Sequence, residues 1–130
     1  MDIDKFKVYN DTFGHHQGDI ALRTFAETAA NTLQRSTDFL ARWGGEEFVI
    51  LLPNTDSTGA AEVAENVRKA VEEVDVPTED GEITKLTVSI GINSVIPDAN
   101  TSSADFMNQA DQALYKAKEQ GRNRSIQYEP

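Results

Sequence analysis

Two adjacent glycines, Gly44 and Gly45, separate two strand-like runs, Asp38–Trp43 and Glu47–Leu52. A tight hairpin turn asks for consecutive positive-φ positions, and glycine meets them without a Cβ penalty. The pair therefore predicts a β-hairpin whose tip carries Glu46 and Glu47. Phe48, Val49, Ile50, Leu51 and Leu52 form an unbroken apolar run, the pattern of a central strand covered on both faces. Helices are expected on either side of that strand, so that the acidic tip projects from a rigid core.

Hydrophobic periods supply the other elements. Leu22, Phe25, Ala26, Ala29 and Leu33 recur at helical spacing and predict a helix from about Gly18 to Gln34, with Asp19 in its first turn near the positive end of the dipole. Ala60, Ala64, Val67, Val71 and Val74 make a second helical stripe. Phe106, Ala110, Ala113, Leu114 and Ala117 make a third, which should stop near Gly121. Leu86, Val88, Ile90 and Ile92 alternate as a half-buried strand, Pro77 to Glu82 is rich in turn residues, and a short strand is expected at Ser125–Tyr128. The pattern is α+β without internal repeats, and 130 residues leave room for one hydrophobic core and not two.

Composition removes several function classes. Twelve Lys and Arg against 22 Asp and Glu give a formal charge of -10, which repels a polymeric nucleic acid. A small polyphosphate remains a possible partner, because divalent cations bridge carboxylates to phosphate oxygens. With no cysteine there is no disulfide framework and no thiolate metal site, and a cytoplasmic setting is expected. No apolar run approaches the roughly 20 residues that span a bilayer, so no membrane contact is expected from this segment.

Four groups of residues carry candidate chemistry. Asp2-Ile3-Asp4 reads as a strand end, and its pleat is taken to put the two acids on opposite faces, so that only one points with Glu46 and Glu47 into a site. Carboxylates brought together by a strand end and a hairpin tip offer hard oxygens to Mg²⁺, although the same tip would serve as a solvated acidic turn. Lys118 and Arg122 stand four apart on one helical face and can clamp a triphosphate, or simply complement the helix dipole. Phe6 to Asp11 reads as a short helical turn after the strand, with free backbone N–H groups for phosphate oxygens. Asn10 and Asp19 together can read a guanine edge, or act as a turn residue and a dipole partner. His15 and His16 are read as loop residues, and Trp43 and Phe48 as packing anchors.

Taken together, Asp2-Ile3-Asp4-Lys5-Phe6-Lys7, Asn10-Asp11, Gly14-His15, Gly18-Asp19, Arg42-Trp43-Gly44-Gly45-Glu46-Glu47-Phe48, Ser89-Ile90-Gly91, Ala110-Asp111, Lys118 and Gly121-Arg122-Asn123 resemble the GGDEF family of diguanylate cyclases, in its GGEEF variant. The resemblance implies a ferredoxin-like, palm-type nucleotide cyclase fold: a mostly antiparallel sheet packed with helices, and a β-hairpin carrying the motif. It implies condensation of two GTP into cyclic di-GMP by a homodimer, each half-site holding two Mg²⁺ or Mn²⁺ ions. It assigns Asp2, Glu46 and the Ile3 carbonyl as metal ligands. Glu46 and Glu47 become the catalytic acids, Glu47 supporting the metal or taking the 3′-hydroxyl proton. Asn10 and Asp19 read guanine, Phe6 and Lys7 offer N–H groups to phosphate, and Lys118 and Arg122 meet the β- and γ-phosphates.

Arg35 and Asp38 stand where the family has its product-inhibition pair, while Asn66 occupies the usual second-arginine position, with Arg68 nearby as a substitute. Family members carry a helix and more strand residues ahead of Asp-Ile-Asp, so residues 1–130 read as a single GGDEF domain lacking that helix and most of the first strand, with a sensor or receiver domain upstream. The alternative is a non-catalytic receptor for GTP or cyclic di-GMP.

Overall fold

In the computed structural model, which describes residues 1–130, the chain runs β1 (Asp2–Ile3), α1 (Phe6–Phe13), α2 (His15–Thr32), β2 (Phe39–Gly44), β3 (Glu47–Leu51), α3 (Ser57–Glu73), β4 (Val76–Pro77), β5 (Ile83–Thr84), β6 (Val88–Ile92), α4 (Ser103–Glu119) and β7 (Ser125–Gln127). Five strands form one sheet in the order β2-β3-β1-β6-β7. Every pairing in it is antiparallel except β6 with β7, whose parallel connection runs through α4 as such a crossover must. The expected α+β architecture, with a mostly antiparallel sheet and a hairpin at the glycine pair, holds; Gly45 takes φ 50° at the turn, whereas Gly44 has no positive φ and ends β2.

The apolar periods become the core. Ile3, Phe48, Val88, Ile90 and Ile92 present one sheet face to Ala21, Phe25 and Ala29 of α2 and to Ala60, Ala64, Val67 and Val71 of α3. The rings of Phe25 and Phe48 stand 4.8 Å apart, centroid to centroid. Asp56 caps α3 by accepting the Gly59 N–H at 2.8 Å, and Ser102 caps α4 by accepting the Asp105 N–H at 3.2 Å. On the opposite face α4 packs on β6 and β7. Gly91 permits that approach, since a Cβ there would lie 2.1 Å from the Ala110 carbonyl oxygen and 2.4 Å from the Leu114 nitrogen.

Because α4 covers only the β6–β7 half, the β2–β3 half of that face stays open, and two expectations change. The apolar run is an interior strand but is not covered twice: Phe48 is buried while Leu51 is 50% exposed. Trp43 is no packing anchor, being 67% exposed on the same open side of the hairpin. The strand read as half-buried is the one enclosed on both faces, with Val88 in the core and Ser89 fully buried beneath α4.

Local boundaries shift too. Gly14, at φ 91°, separates α1 from α2, so α2 begins at His15; both histidines are helical and Asp19 falls beyond the first turn. The turn-rich stretch is the loop of a small β4–β5 hairpin, closed by Thr78 N–H to Glu82 O at 2.8 Å. β1 is short, and Met1 continues its pairing: its amine donates to Phe48 O at 2.8 Å and its carbonyl accepts the Phe48 N–H at 2.9 Å.

Candidate active site at the β1 end and hairpin tip

The middle of the sheet places Asp2. It pairs across from Glu47 of β3 on one side and Ser89 of β6 on the other. The tip is bound to β1 by Ile3 N–H to Glu46 O at 3.2 Å, and Arg42 braces the turn by donating through Nε to Gly45 O at 2.8 Å. Glu46 is half-buried and Glu47 exposed, so both carboxylates stand at the edge of the strand end rather than within the core.

Asp2 itself is only 7% exposed. Its Oδ2 accepts from Lys118 Nζ of α4, and its Oδ1 is buried without a hydrogen-bond partner. An unpartnered buried carboxylate oxygen is costly, and a water or a cation is what relieves it. It is also the hard donor that Mg²⁺ takes. No three His, Cys, Asp or Glu side chains converge closely enough to hold a metal by themselves. Asp2 and Glu46 with the Ile3 carbonyl would hold only a cation that keeps water or phosphate oxygens for the rest of its shell, as Mg²⁺ does.

The expectation that Asp2 and Asp4 point to opposite faces is wrong. Residues two apart on a strand share a face, and Asp4 reaches Ser89 Oγ at 2.6 Å, the same residue that pairs with Asp2. What separates the two acids is hydrogen bonding. Asp4 also accepts from Thr87 Oγ1 at 2.7 Å and from the Asn123 N–H at 2.9 Å, so its oxygens are spent while Asp2 keeps one free.

A second unpartnered atom lies between the first two helices. Asn10 Oδ1 is buried without a partner, and it rests against Gly18, where a Cβ would come within 1.7 Å of it. Gly18 immediately precedes the exposed Asp19, so the α1–α2 contact brings the two proposed base readers to neighbouring positions. α1 begins at Phe6 after Lys5, which takes φ 53° and supplies no side-chain cap. The first-turn N–H groups, those of Phe6 and Lys7 included, therefore have no side-chain acceptor.

The two cations expected on one helical face are not so placed. Lys118 lies in α4 on Asp2, whereas α4 ends at Glu119 and Arg122 sits in the turn beyond it, at φ 64°. Arg122 lines a cavity of about 600 Å³ together with Asp4, Lys5 and Asn123.

Arg35 and Asp38 form a separate cluster just ahead of β2. Arg35 donates to Asp38 Oδ1 at 2.6 Å, to Pro53 O at 2.7 Å and to Thr55 Oγ1 at 2.5 Å. The hydrogen bond to Asp38 pushes the Arg35 guanidinium still further above its usual range, so its charge is constant at any working pH. The pair lines a cavity of about 490 Å³ with Glu27 and Ala30 of α2. Arg68 does not join this cluster; it pairs with Glu65 and Glu72 and donates to Asn123 Oδ1 at 3.1 Å.

The family model described as diguanylate cyclase, GGDEF domain, matches residues 1–124. Diguanylate cyclase A of Treponema denticola is 44% identical over 124 residues, 95% of this chain and 33% of that protein. Response regulator PleD of Caulobacter vibrioides is 40% identical over 124 residues, 95% of this chain and 27% of its own length. The chain thus spans a third or less of these curated relatives.

Among solved structures, the GGDEF domain of DgcB from Caulobacter crescentus in complex with c-di-GMP superposes with a TM-score of 0.90 at 34% identity, covering 99% of this chain and 75% of that one. The active GGEEF domain of a diguanylate cyclase from Vibrio cholerae superposes at 0.85 with 39% identity, covering 99% and 80%. With sequence and fold in agreement over nearly its whole length, this chain belongs to the GGDEF family of diguanylate cyclase domains.

Proposed function

We propose that the chain condenses two GTP molecules into cyclic di-GMP, releasing two pyrophosphates, with each protomer of a homodimer holding one GTP. The observation that carries this reading is the buried, unpartnered Oδ1 of Asp2 beside the Glu46–Glu47 tip. Asp2 and Glu46, with the Ile3 carbonyl, would hold Mg²⁺ or Mn²⁺. When bound, such ions lower the cost of forming a 3′-alkoxide and neutralise charge on the phosphates.

The chain's own residues do the remaining work. The amide of Asn10 and the carboxylate of Asp19 address the guanine edge, and the uncapped N–H groups of Phe6 and Lys7 receive phosphate oxygens. Lys118, paired with Asp2, shares its charge with a phosphate, while Arg122 meets the terminal phosphates. Glu47, exposed at the tip, takes the 3′-hydroxyl proton. The 3′-oxygen of one nucleotide then forms a bond to the α-phosphorus of the other, the bond from that phosphorus to the bridging oxygen breaks, and pyrophosphate leaves. A second such step closes the ring.

Arg35 and Asp38 are proposed to bind the product and restrain turnover, supported by the cavity they line and by the complex of the related DgcB domain with c-di-GMP. A non-catalytic receptor would use the same cluster, and product formation separates the two readings. Incubation with GTP and Mg²⁺, followed by chromatography, is expected to yield cyclic di-GMP. Its absence from a folded, dimeric form that includes any upstream residues would overturn the catalytic reading and leave the receptor. No helix is long and apolar enough to cross a membrane. A regulatory domain elsewhere in the protein is proposed by analogy with the longer relatives, one of them a response regulator.

A further inference from the structure

Asp4 has no place in the metal or nucleotide contacts above, yet its carboxylate ties two distant segments together. Thr87 and Ser89, at and before β6, anchor it through hydroxyl bonds of 2.7 and 2.6 Å, and Asn123, in the turn after α4, gives it a backbone N–H at 2.9 Å. That turn is conformationally demanding. Gly121, Arg122 and Asn123 take φ 118°, 64° and 46° in succession. Two consecutive non-glycine residues in the left-handed region persist only where their surroundings hold them.

Three backbone N–H groups hold this turn, that of Gly121 donating to Lys118 O at 3.4 Å. Arg122 N–H donates to Ala117 O at 2.9 Å, which closes the end of α4 locally. Asn123 N–H donates to Asp4, which fastens the turn to the segment that also bears Asp2. The Asn123 side chain is fixed in turn, accepting from Arg68 at 3.1 Å and donating to Glu72. The Arg122 side chain has no such anchor to α3, and it shares its cavity with Lys5, immediately ahead of the free N–H groups of α1.

We propose that Asp4 is a positioning residue for phosphate binding: anchored on Thr87 and Ser89, it accepts the Asn123 N–H and so fixes the left-handed turn that presents Arg122 to the terminal phosphates of the nucleotide. This rests on the reading of Arg122 as a phosphate contact. Asp4 itself touches no nucleotide. An Asn in its place has one acceptor oxygen instead of two and turns an NH₂ group toward donors, so the turn loses its fastening.

The test is calorimetry with 3′-deoxy-GTP, which binds but cannot condense, and with GMP, which lacks the β- and γ-phosphates, both in Mg²⁺. Asp4→Asn is expected to weaken 3′-deoxy-GTP by about tenfold, the worth of one good hydrogen bond, while GMP changes by less than about twofold. In an Arg122→Ala background Asp4→Asn should add no further loss, because its effect passes through Arg122. Equal weakening of both nucleotides, no weakening, or full additivity with Arg122→Ala would each overturn the inference. Should Asp4→Asn fail to fold, Ser89→Ala removes one anchor and is expected to give the same triphosphate-selective loss at about threefold; its absence overturns the inference as well. An Arg122→Ala variant that binds both nucleotides like the parent removes the phosphate reading of Arg122 and this inference with it. Selective weakening by Arg122→Ala, with none by Asp4→Asn, removes the inference alone.

Discussion

The cluster around Asp2 and the cluster around Arg35 both join a carboxylate to a cation, but they are finished differently. Asp2 gives one oxygen to Lys118 and keeps the other buried and unpartnered. Arg35 spends its donors on Asp38, Pro53, Asn54 and Thr55, leaving a cluster that is complete without a ligand. A buried polar atom without a partner is a standing cost that only an incoming group removes, whereas a satisfied pair must exchange internal bonds for new ones. The first arrangement suits a site that must bind in order to react. The second suits a site that responds only when its ligand is abundant.

The largest effect should come from setting the two carboxylates against each other. Asp2→Asn keeps the shape but removes the charged ligand, and product formation is expected to fall by at least about a hundredfold, as when a principal electrostatic group is lost from a reacting centre. Asp38→Asn should leave the initial rate of product formation unchanged and relieve its slowing as product accumulates. Progress curves read by chromatography measure both. Equal losses from the two substitutions would erase the distinction between an unfinished and a finished cluster.

A second test concerns the other unpartnered oxygen. In Gly18→Ala the new Cβ would stand 1.7 Å from Asn10 Oδ1 and 3.4 Å from Phe6 Cζ, so the Asn10 amide has to turn away. Affinity for 3′-deoxy-GTP should fall by about tenfold if that amide meets the base. Overpacking should lower stability by about 1–3 kcal/mol, measured by denaturant titration. Unchanged affinity at reduced stability would make Asn10 a packing residue and leave Asp2 as the sole unfinished atom with a catalytic purpose.

Much of this was legible in the sequence because it is local. Glycine chemistry located the hairpin, and helical periods located α3 and α4, since turn conformation and apolar spacing are properties of neighbouring residues. The candidate site was legible mainly through motif resemblance, which named Asp2, Glu46 and Asn10 without saying why they differ from Asp4. That reason is tertiary: the partners of Asp4 lie 83, 85 and 119 residues away, beyond any local pattern. The same holds for Gly18 and Gly91, whose necessity is visible only once Asn10 and α4 are placed against them. Trp43 was misread for a related cause, because apolar character does not say which part of a sheet face a single helix will cover. Asp19 was misplaced because the start of α2 is set by the backbone of Gly14 rather than by the apolar stripe.

The smallest effect is expected at Asn66, which is exposed on α3 where the resemblance expects a second arginine for product binding. Arg68 cannot serve in its place while it is held by Glu65 and Glu72, and its bonds in turn hold the Glu65 carboxyl below the usual range. Asn66→Arg adds a new forked donor, but the gain is opposed on its own helix. Glu62, one turn back, competes for the guanidinium, and surface pairs at that spacing are worth about 0.3–0.5 kcal/mol. Lys69, three residues on, repels it. Inhibition by cyclic di-GMP should therefore tighten by only about threefold, less than one hydrogen bond's worth, with the uninhibited rate unchanged. Tightening that persists after Arg35→Ala would mean that the new arginine binds product by itself. The Arg35–Asp38 cluster would then be a surface ion pair, complete because it has nothing to receive.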